Sequence, residues 1–217
     1  MKPRLSLPVM LAGAIVACGC SMDPLVYRIA SNYMPTGTVG NTWTYELPGS
    51  RQKLVTIAGS DAILGRDCIR VQVDFEDNYW YRDEDQFDEY VRTVYLYNEE
   101  HVIEERWARH LVLPLVLGNT WSEDYEQTTL VYGQPVTRRV QTEGEVRSIQ
   151  NVTVPAGEFE QCYVVRLETI GETETPYGDG WVDSTFVEEY YAPDVGLVRR
   201  VNLLTEEEEV LESFTLQ

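Results

Sequence analysis

Lysine is almost missing from this 217-residue chain: Lys2 and Lys53 are the only two. With arginine included there are 17 basic side chains against 36 acidic ones, for a formal charge of −19 and a pI near 4.4. Phosphate binding needs a basic face that releases counterions, so nucleic acid is excluded as a partner. Histidine is equally scarce. His101 and His110 are the only two, and neither stands at a metal-ligand spacing from another histidine or a cysteine, so no metal site is expected. The chain also lacks G-x-S-x-G, a glycine-rich phosphate loop and H-E-x-x-H. Nucleophilic and zinc-hydrolase chemistry therefore lose their usual starting points, no catalytic residue or cofactor is assigned, and the chain is expected not to be an enzyme. What it does have, 43% apolar and 11% aromatic residues, supplies a real core for one domain or two small ones.

The one apolar run at the start is too short to span a bilayer. Residues 1–20 read MKPRLSLPVMLAGAIVACGC: a basic head with Lys2 and Arg4, apolar residues from Leu5 to Val16, then small residues. About 13 apolar residues cannot cross roughly 30 Å of hydrocarbon as a helix, and the layout is that of a secretory signal. Its end resembles the bacterial lipoprotein signal, in which a small residue precedes a cysteine that becomes acylated. Ile15-Val16-Ala17-Cys18 fits that pattern, and Ala17-Cys18-Gly19-Cys20 offers a second frame. Cys18 is favoured as the lipidation site, with Cys20 as the alternative, because a branched apolar residue stands three before Cys18. The resemblance implies a signal peptide over 1–17, palmitate or related acyl chains on the cysteine, and an anchored tether over 18–38. Gly19 or Ser21, not aspartate, follows the cysteine, which in such lipoproteins implies the outer membrane, facing the periplasm. Residues 1–17 hold two basic residues and no acid, so removing them takes the formal charge from −19 to −21. Such a surface repels anionic headgroups, and membrane attachment is expected through the acyl anchor alone.

Beyond Gly40 apolar and polar residues alternate, which places successive side chains on opposite faces of a strand. Ile69, Val71, Val73 and Phe75 share one face, and 90–97 is rich in β-branched and aromatic types. Similar segments cover about 41–47, 51–58, 101–108, 127–132, 136–150, 160–170, 181–191, 195–204 and 210–216, separated by turn signals such as Pro48-Gly49, Gly133-Gln134-Pro135 and Pro193-Asp194. No window keeps a 3.6-residue period. The expected fold is all-β and antiparallel, one large curved sheet or a sandwich, over 39–217. Gly40-Asn41-Thr42-Trp43 returns as Gly118-Asn119-Thr120-Trp121, each copy opening a series of strands. This reads as two related β lobes, 39–112 and 113–217, sharing one core.

Cys68 and Cys162 occupy comparable places in the two lobes and invite a disulfide in an oxidising compartment. Matching places need not be adjacent, and buried thiols also serve as small apolar residues. The segment 74–89 is strongly acidic. Asp83, Asp85 and Asp88 suggest calcium, but no EF-hand glycine is present, and a hairpin with a solvated acidic tip is the preferred reading.

Three further motifs appear in order: Gly40-Asn41-Thr42-Trp43-Thr44-Tyr45, then Val154-Pro155-Ala156-Gly157-Glu158-Phe159, then Tyr190-Tyr191-Ala192-Pro193-Asp194-Val195-Gly196-Leu197-Val198. They resemble the G-x-x-W-x-Y, V-P-A-G-x-F and Y-Y-A-P-x-V-G-L-V signatures of uncharacterised bacterial envelope lipoproteins. Physically they are structural: Pro155 with Gly157, and Pro193 with Gly196, make turns, while Trp43, Trp121 and Phe159 close the sheet ends. Tyr45 and Tyr191 belong to the same motifs. The expected role is that of a non-catalytic envelope lipoprotein that binds a protein partner or stabilises an assembly. The alternative is a lipid or lipoprotein carrier using the concave face of a curled sheet, and a glycan hydrolase is less favoured still.

Overall fold

The computed structural model describes Tyr33 and residues 37–217. Cys18, Cys20 and the rest of the leader and tether, apart from Tyr33, Gly37 and Thr38, lie outside the described residues.

Twelve antiparallel strands form one nearly closed, curved sheet, and no helix occurs among the described residues. They are β1 (Thr42–Leu47), β2 (Arg51–Ile63), β3 (Arg66–Val73), β4 (Glu76–Arg82), β5 (Gln86–Tyr97), β6 (Glu99–Val112), β7 (Thr120–Val131), β8 (Gln134–Val154), β9 (Gly157–Glu174), β10 (Trp181–Ala192), β11 (Gly196–Asn202) and β12 (Glu208–Thr215). Each strand pairs with its sequence neighbours, with one exception. β1 pairs with β12, which stitches two six-stranded meanders, β1–β6 and β7–β12, into a single sheet whose edges are β6 and β7. One large curved sheet, not a sandwich, is thus the outcome. About twelve strands accumulate enough right-handed twist to bring the two edges together.

The edges meet without a backbone ladder and are joined by side chains. Thr129 Oγ1 donates to the Val102 carbonyl at 3.0 Å, Arg106 pairs with Glu123, and the Arg109 N–H reaches the same Glu123 carboxylate at 3.3 Å. Outward positions of β7, β8 and β9 carry ion pairs such as Arg139 with Glu126 and Glu174, and Arg166 with Glu168. An outer wall of this kind is solvated, since charges facing lipid cost about 2–4 kcal/mol each at the midplane.

The repeated tetrapeptide begins β1 and β7 with one hydrogen-bond pattern used twice. Gly40 N–H donates to the Ile57 carbonyl (3.0 Å), Asn41 N–H to Thr38 (3.2 Å), and Ile57 N–H to Asn41 (2.9 Å). In the second copy Gly118 donates to Val146 (2.8 Å), Asn119 to Val116 (2.9 Å), and Val146 to Asn119 (2.9 Å). The tryptophans that follow differ. Trp43 is buried and its Nε1 donates to the Val195 carbonyl at 2.9 Å, whereas Trp121 lies flat on Gly144 of β8. A Cβ built at Gly144 would stand 2.1 Å from Trp121 Cε2, so the wall is bare there to admit the ring. Gly144→Ala is therefore expected to cost about 1–3 kcal/mol by overpacking, read from urea denaturation, and much less in a Trp121→Leu background.

Three clusters fill the interior. One holds Trp43, Ile57, Val71, Val152, Cys162 and Leu211; a second holds Tyr33, Phe87, Leu111, Leu115 and Val165; a small third, Tyr95, Ile103, Val131 and Val136 under Trp181, closes the end opposite the chain's entry. Tyr33 docks at the entry end, edge-on to Tyr163 at 4.6 Å between centroids, with its hydroxyl donating to Gln161 O at 3.2 Å.

Of the two readings left open for the cysteines, the disulfide is absent. Cys68 and Cys162 are both buried free thiols, the first donating to Asp61 O at 3.3 Å and the second embedded in the largest cluster. The acidic segment is a hairpin with a solvated acidic tip, as expected: β4 and β5 pair on either side of the exposed Asp83, Glu84 and Asp85, and Trp80 of β4 packs inward against Phe87 at 5.5 Å. Asp83 accepts the Asp85 and Gln86 N–H groups, both at 2.9 Å, as an ordinary turn, and Asp88 is buried against Arg66 at 2.8 Å. Asp85 contributes only its backbone, accepting the Leu113 N–H at 2.7 Å.

Candidate functional site

Long strands and short strands are unevenly distributed around the sheet, and this creates an opening. β5 continues to Tyr97 while its ladder with β4 stops at Trp80 and Glu89, so Glu76–Tyr79 of β4 and Tyr90–Tyr97 of β5 diverge. On the other side β10 pairs with β11 only from Val187 onward. Behind the gap lies a cavity of about 210 Å³ lined by aromatic and aliphatic side chains, among them Trp43, Tyr45, Val55, Trp80, Phe87 and Tyr191. Tyr79 and Tyr90, in edge-to-face contact at 5.9 Å, flank the gap. A second cavity of about 300 Å³ lies alongside, under the Tyr95 cluster, and its walls mix the buried Glu104, Arg138 and Thr142 with Val91, Val140 and Leu167. The two share Glu89, His110 and Arg200.

Those shared residues belong to a row of alternating charge. Arg200 Nε stands 3.3 Å from Glu189 Oε1, Glu189 Oε2 is 2.7 Å from His110 Nε2, and His110 Nδ1 is 3.5 Å from Glu89 Oε2. The Tyr191 hydroxyl donates to Glu189 at 2.6 Å and lies 3.1 Å from His110 Nε2. Glu189 is 2% exposed. Burial opposes a charged imidazole, but the carboxylates of Glu189 and Glu89 outweigh it and raise the His110 pKa well above its usual value. Burial likewise opposes the Glu189 carboxylate, and His110 and Arg200 more than offset that and lower its pKa. Tyr191 is pushed far above the phenol range by burial and by Glu189, so it remains a donor.

Backbone geometry explains how His110 arrives there. Phe87 opposes Leu111 and Asp88 opposes Arg109, so His110 is an extra residue, a β-bulge, in β6. The bulge lets Leu111 stay in the core while His110 also turns inward, which simple alternation does not permit. A second bulge at Ile103 does the same for Ile103 and Glu104, both buried. Glu104 accepts from Arg138 Nε at 3.2 Å and Arg106 Nε at 3.0 Å, and Arg138 forks onto Asp183 at 2.6 and 3.0 Å. This second row runs from Asp183 through Arg138, Glu104 and Arg106, all of which line the second cavity, to Glu123. Gly171 makes room for it: a Cβ there would sit 2.3 Å from Arg138 Nη2.

Of the motif residues, the structure brings Trp43, Tyr45 and Tyr191 to the aromatic cavity. Tyr45 also donates its hydroxyl to Leu197 O at 3.0 Å. Gly40 and Trp121 serve strand starts, Pro155 forms the tight turn before Gly157 opens β9, Phe159 packs beside Phe214 at 6.1 Å, and Pro193 leads to Gly196 at the start of β11. Sequence reasoning missed His110, Glu89, Glu189, Arg200 and Arg138. One signal was available: Val136, Arg138, Val140, Thr142, Gly144 and Val146 share a face, as do Val187, Glu189 and Tyr191, so a charge interrupts each apolar stripe. His110 gave no such signal, because the bulge shifts its parity.

No family model matches the chain, and no curated protein matches it. Among solved structures it is similar to a protein taken to be a lipoprotein from Parabacteroides distasonis, at 15% identity and a TM-score of 0.49, over 85% of this chain and 99% of that one. It is also similar to a protein taken to be exported, with a YmcC-like fold, from Bacteroides fragilis, at 12% identity and a TM-score of 0.41, over 86% of this chain and 100% of that one.

Proposed function

We propose that the protein is a non-catalytic, lipid-anchored binding module of the bacterial cell envelope, held through Cys18 at the periplasmic face of the outer membrane, which takes a small molecule into its side-opening aromatic cavity. The observation that carries the binding part is the cavity itself: an aromatic chamber that opens through the β4/β5 gap and whose inner wall is a fixed row of ions. Protein interiors are otherwise packed to crystal density, so an open chamber with preset polar groups is the usual form of a ligand site.

The ion row favours binding over catalysis. Both His110 nitrogens are engaged, Nε2 by Glu189 and Tyr191 and Nδ1 by Glu89, so the imidazole offers no free nitrogen for proton transfer. The carrier alternative meets a size limit. A cavity of about 150 Å³ holds benzene, so one of this size takes roughly eight or nine non-hydrogen atoms, about half an ordinary acyl chain.

Two measurements test the reading. In bacteria expressing the protein and grown with an alkyne fatty acid, the mature chain is expected to be labelled and Cys18→Ser to abolish the label; an unlabelled mature protein overturns the anchor, and a label retained in Cys18→Ser moves it to Cys20. Native mass spectrometry of the protein extracted from envelopes is expected to retain a small-molecule adduct, whereas a bound two-chain lipid overturns the small-ligand reading in favour of the carrier.

A further inference from the structure

The charges around the aromatic cavity are not equally occupied. Lys53 is paired with Glu209 and lies over the Tyr45 ring at 4.9 Å. Glu189 is saturated by His110, Tyr191 and Arg200, and His110 is engaged at both nitrogens. Two groups keep unused capacity. Arg200 contacts Glu189 through Nε, and among the described residues no hydrogen bond reaches its terminal nitrogens, while 37% of its side chain remains accessible. Glu89 makes one ion pair among the described residues, with His110 at 3.5 Å, while feeling Arg200 and Glu189 from further off, and 42% of its side chain remains accessible. Both line the cavity, at opposite ends of the row.

The sign of the whole arrangement then limits the ligand. Arg200, Glu189, His110 and Glu89 alternate positive and negative, and Glu209 behind the wall cancels Lys53, so the charges around the cavity sum to zero. A simple anion would meet Arg200 but face two carboxylates, and a simple cation would meet Glu89 but face Arg200 and His110. A molecule with both charges and no net charge satisfies each open group and leaves no charge uncompensated in a poorly solvated space. Its apolar body would lie against Tyr45, Trp80 and Tyr191.

We propose that the aromatic cavity binds a small zwitterion of about nine non-hydrogen atoms, its anionic group on Arg200 and its cationic group on Glu89. The proposal rests on the small-ligand reading above. It also explains why a strongly acidic chain keeps two of its few basic side chains, Lys53 and Arg200, beside an aromatic chamber: carboxylates alone would select a cation.

Calorimetric titration of the purified mature protein with four probes tests it. L-leucine and 6-aminohexanoate are isomers of nine non-hydrogen atoms that differ in charge separation; hexanoate and hexylamine each carry one of the two charges. At least one zwitterion is expected to bind, with hexanoate and hexylamine each at least about tenfold weaker than it, the loss of one charge-assisted hydrogen-bonding group. Glu89→Gln should reduce the better zwitterion to the level of hexanoate, and Arg200→Gln should reduce it to the level of hexylamine. A single-charge probe that binds the unaltered protein as tightly as the better zwitterion overturns the zwitterion assignment and leaves the small-ligand cavity standing. If none of the four binds, both fall.

Discussion

Replacing Glu189 with leucine is expected to lower stability by about 3–5 kcal/mol, because it removes the buried carboxylate that holds His110 and Arg200 and leaves the imidazolium short of a partner. Glu189 is 2% exposed and holds His110, Tyr191 and Arg200 on its two oxygens. Leucine of similar volume keeps the packing but strands the imidazolium and the phenol hydroxyl, while the partly exposed Arg200 can turn to water. For a chain of this size the loss corresponds to roughly 6–20 °C in thermal midpoint. The pH dependence separates this mechanism from a packing defect. The His110 pKa is raised in the folded state, from 6.5 to about 10, so its contribution is fully present below pH 6.5 and is lost as pH rises toward 10. That of Glu189 is lowered from 4.5, so its contribution is present above pH 4.5 and is lost as pH falls. The stability gap between the unaltered protein and Glu189→Leu should therefore be widest between pH 4.5 and 6.5 and shrink toward pH 10. A gap that stays constant from pH 6 to 10 would rule the ion row out as the cause.

Arg138→Met is expected to cost a similar amount, about 3–5 kcal/mol, for a different reason. Arg138 is 4% exposed and joins Glu104, Asp183 and Thr173 at the wall of the second cavity. Half of the Asp183 side chain is accessible, so it can return to water when its partner is removed; Glu104, at 2% exposure, cannot. The penalty therefore falls on Glu104, left with Arg106 and the Thr93 hydroxyl. Two consequences follow. Glu104→Gln in the Arg138→Met background should recover part of the loss, since it removes the stranded charge, and urea denaturation of the cycle should show non-additivity of at least about 1 kcal/mol. Gly171→Ala should mimic a weaker version of Arg138→Met, because its methyl group occupies the place of the guanidinium. Full additivity in the cycle would show that Arg138 acts by packing alone.

Much of the architecture was legible in the sequence because period-two alternation reports a strand whatever its partners are. The strands at 41–47, 90–97, 136–150, 160–170 and 181–191 overlap β1, β5, β8, β9 and β10. β4 was the exception: its Glu76, Asp77 and Asn78 are exposed and polar, so the acidic stretch hid a strand that turns Trp80 inward. The repeated Gly-Asn-Thr-Trp proved to be a structural repeat in its hydrogen bonds, yet the tryptophans have different neighbours, which four residues could not reveal.

The site was much less legible. Tyr45 and Tyr191 stood in motifs read as structural, and they do pack, but they also wall a cavity whose chemistry comes from two hairpins, Glu89 and His110 on β5–β6 and Glu189 and Arg200, direct partners across β10–β11. No spacing links the first pair to the second. The sequence alone determined composition, charge sign and an antiparallel all-β class, because each of these depends on local chemistry or on a local period. Only the tertiary structure decided that β1 joins β12, that two bulges in β6 turn His110 and Glu104 inward, and that β4 and β5 part to open a chamber. The first depends on pairing between strands distant in sequence, the other two on register within hairpins and on which charges the closed sheet buries beside one another, and residue alternation reports neither.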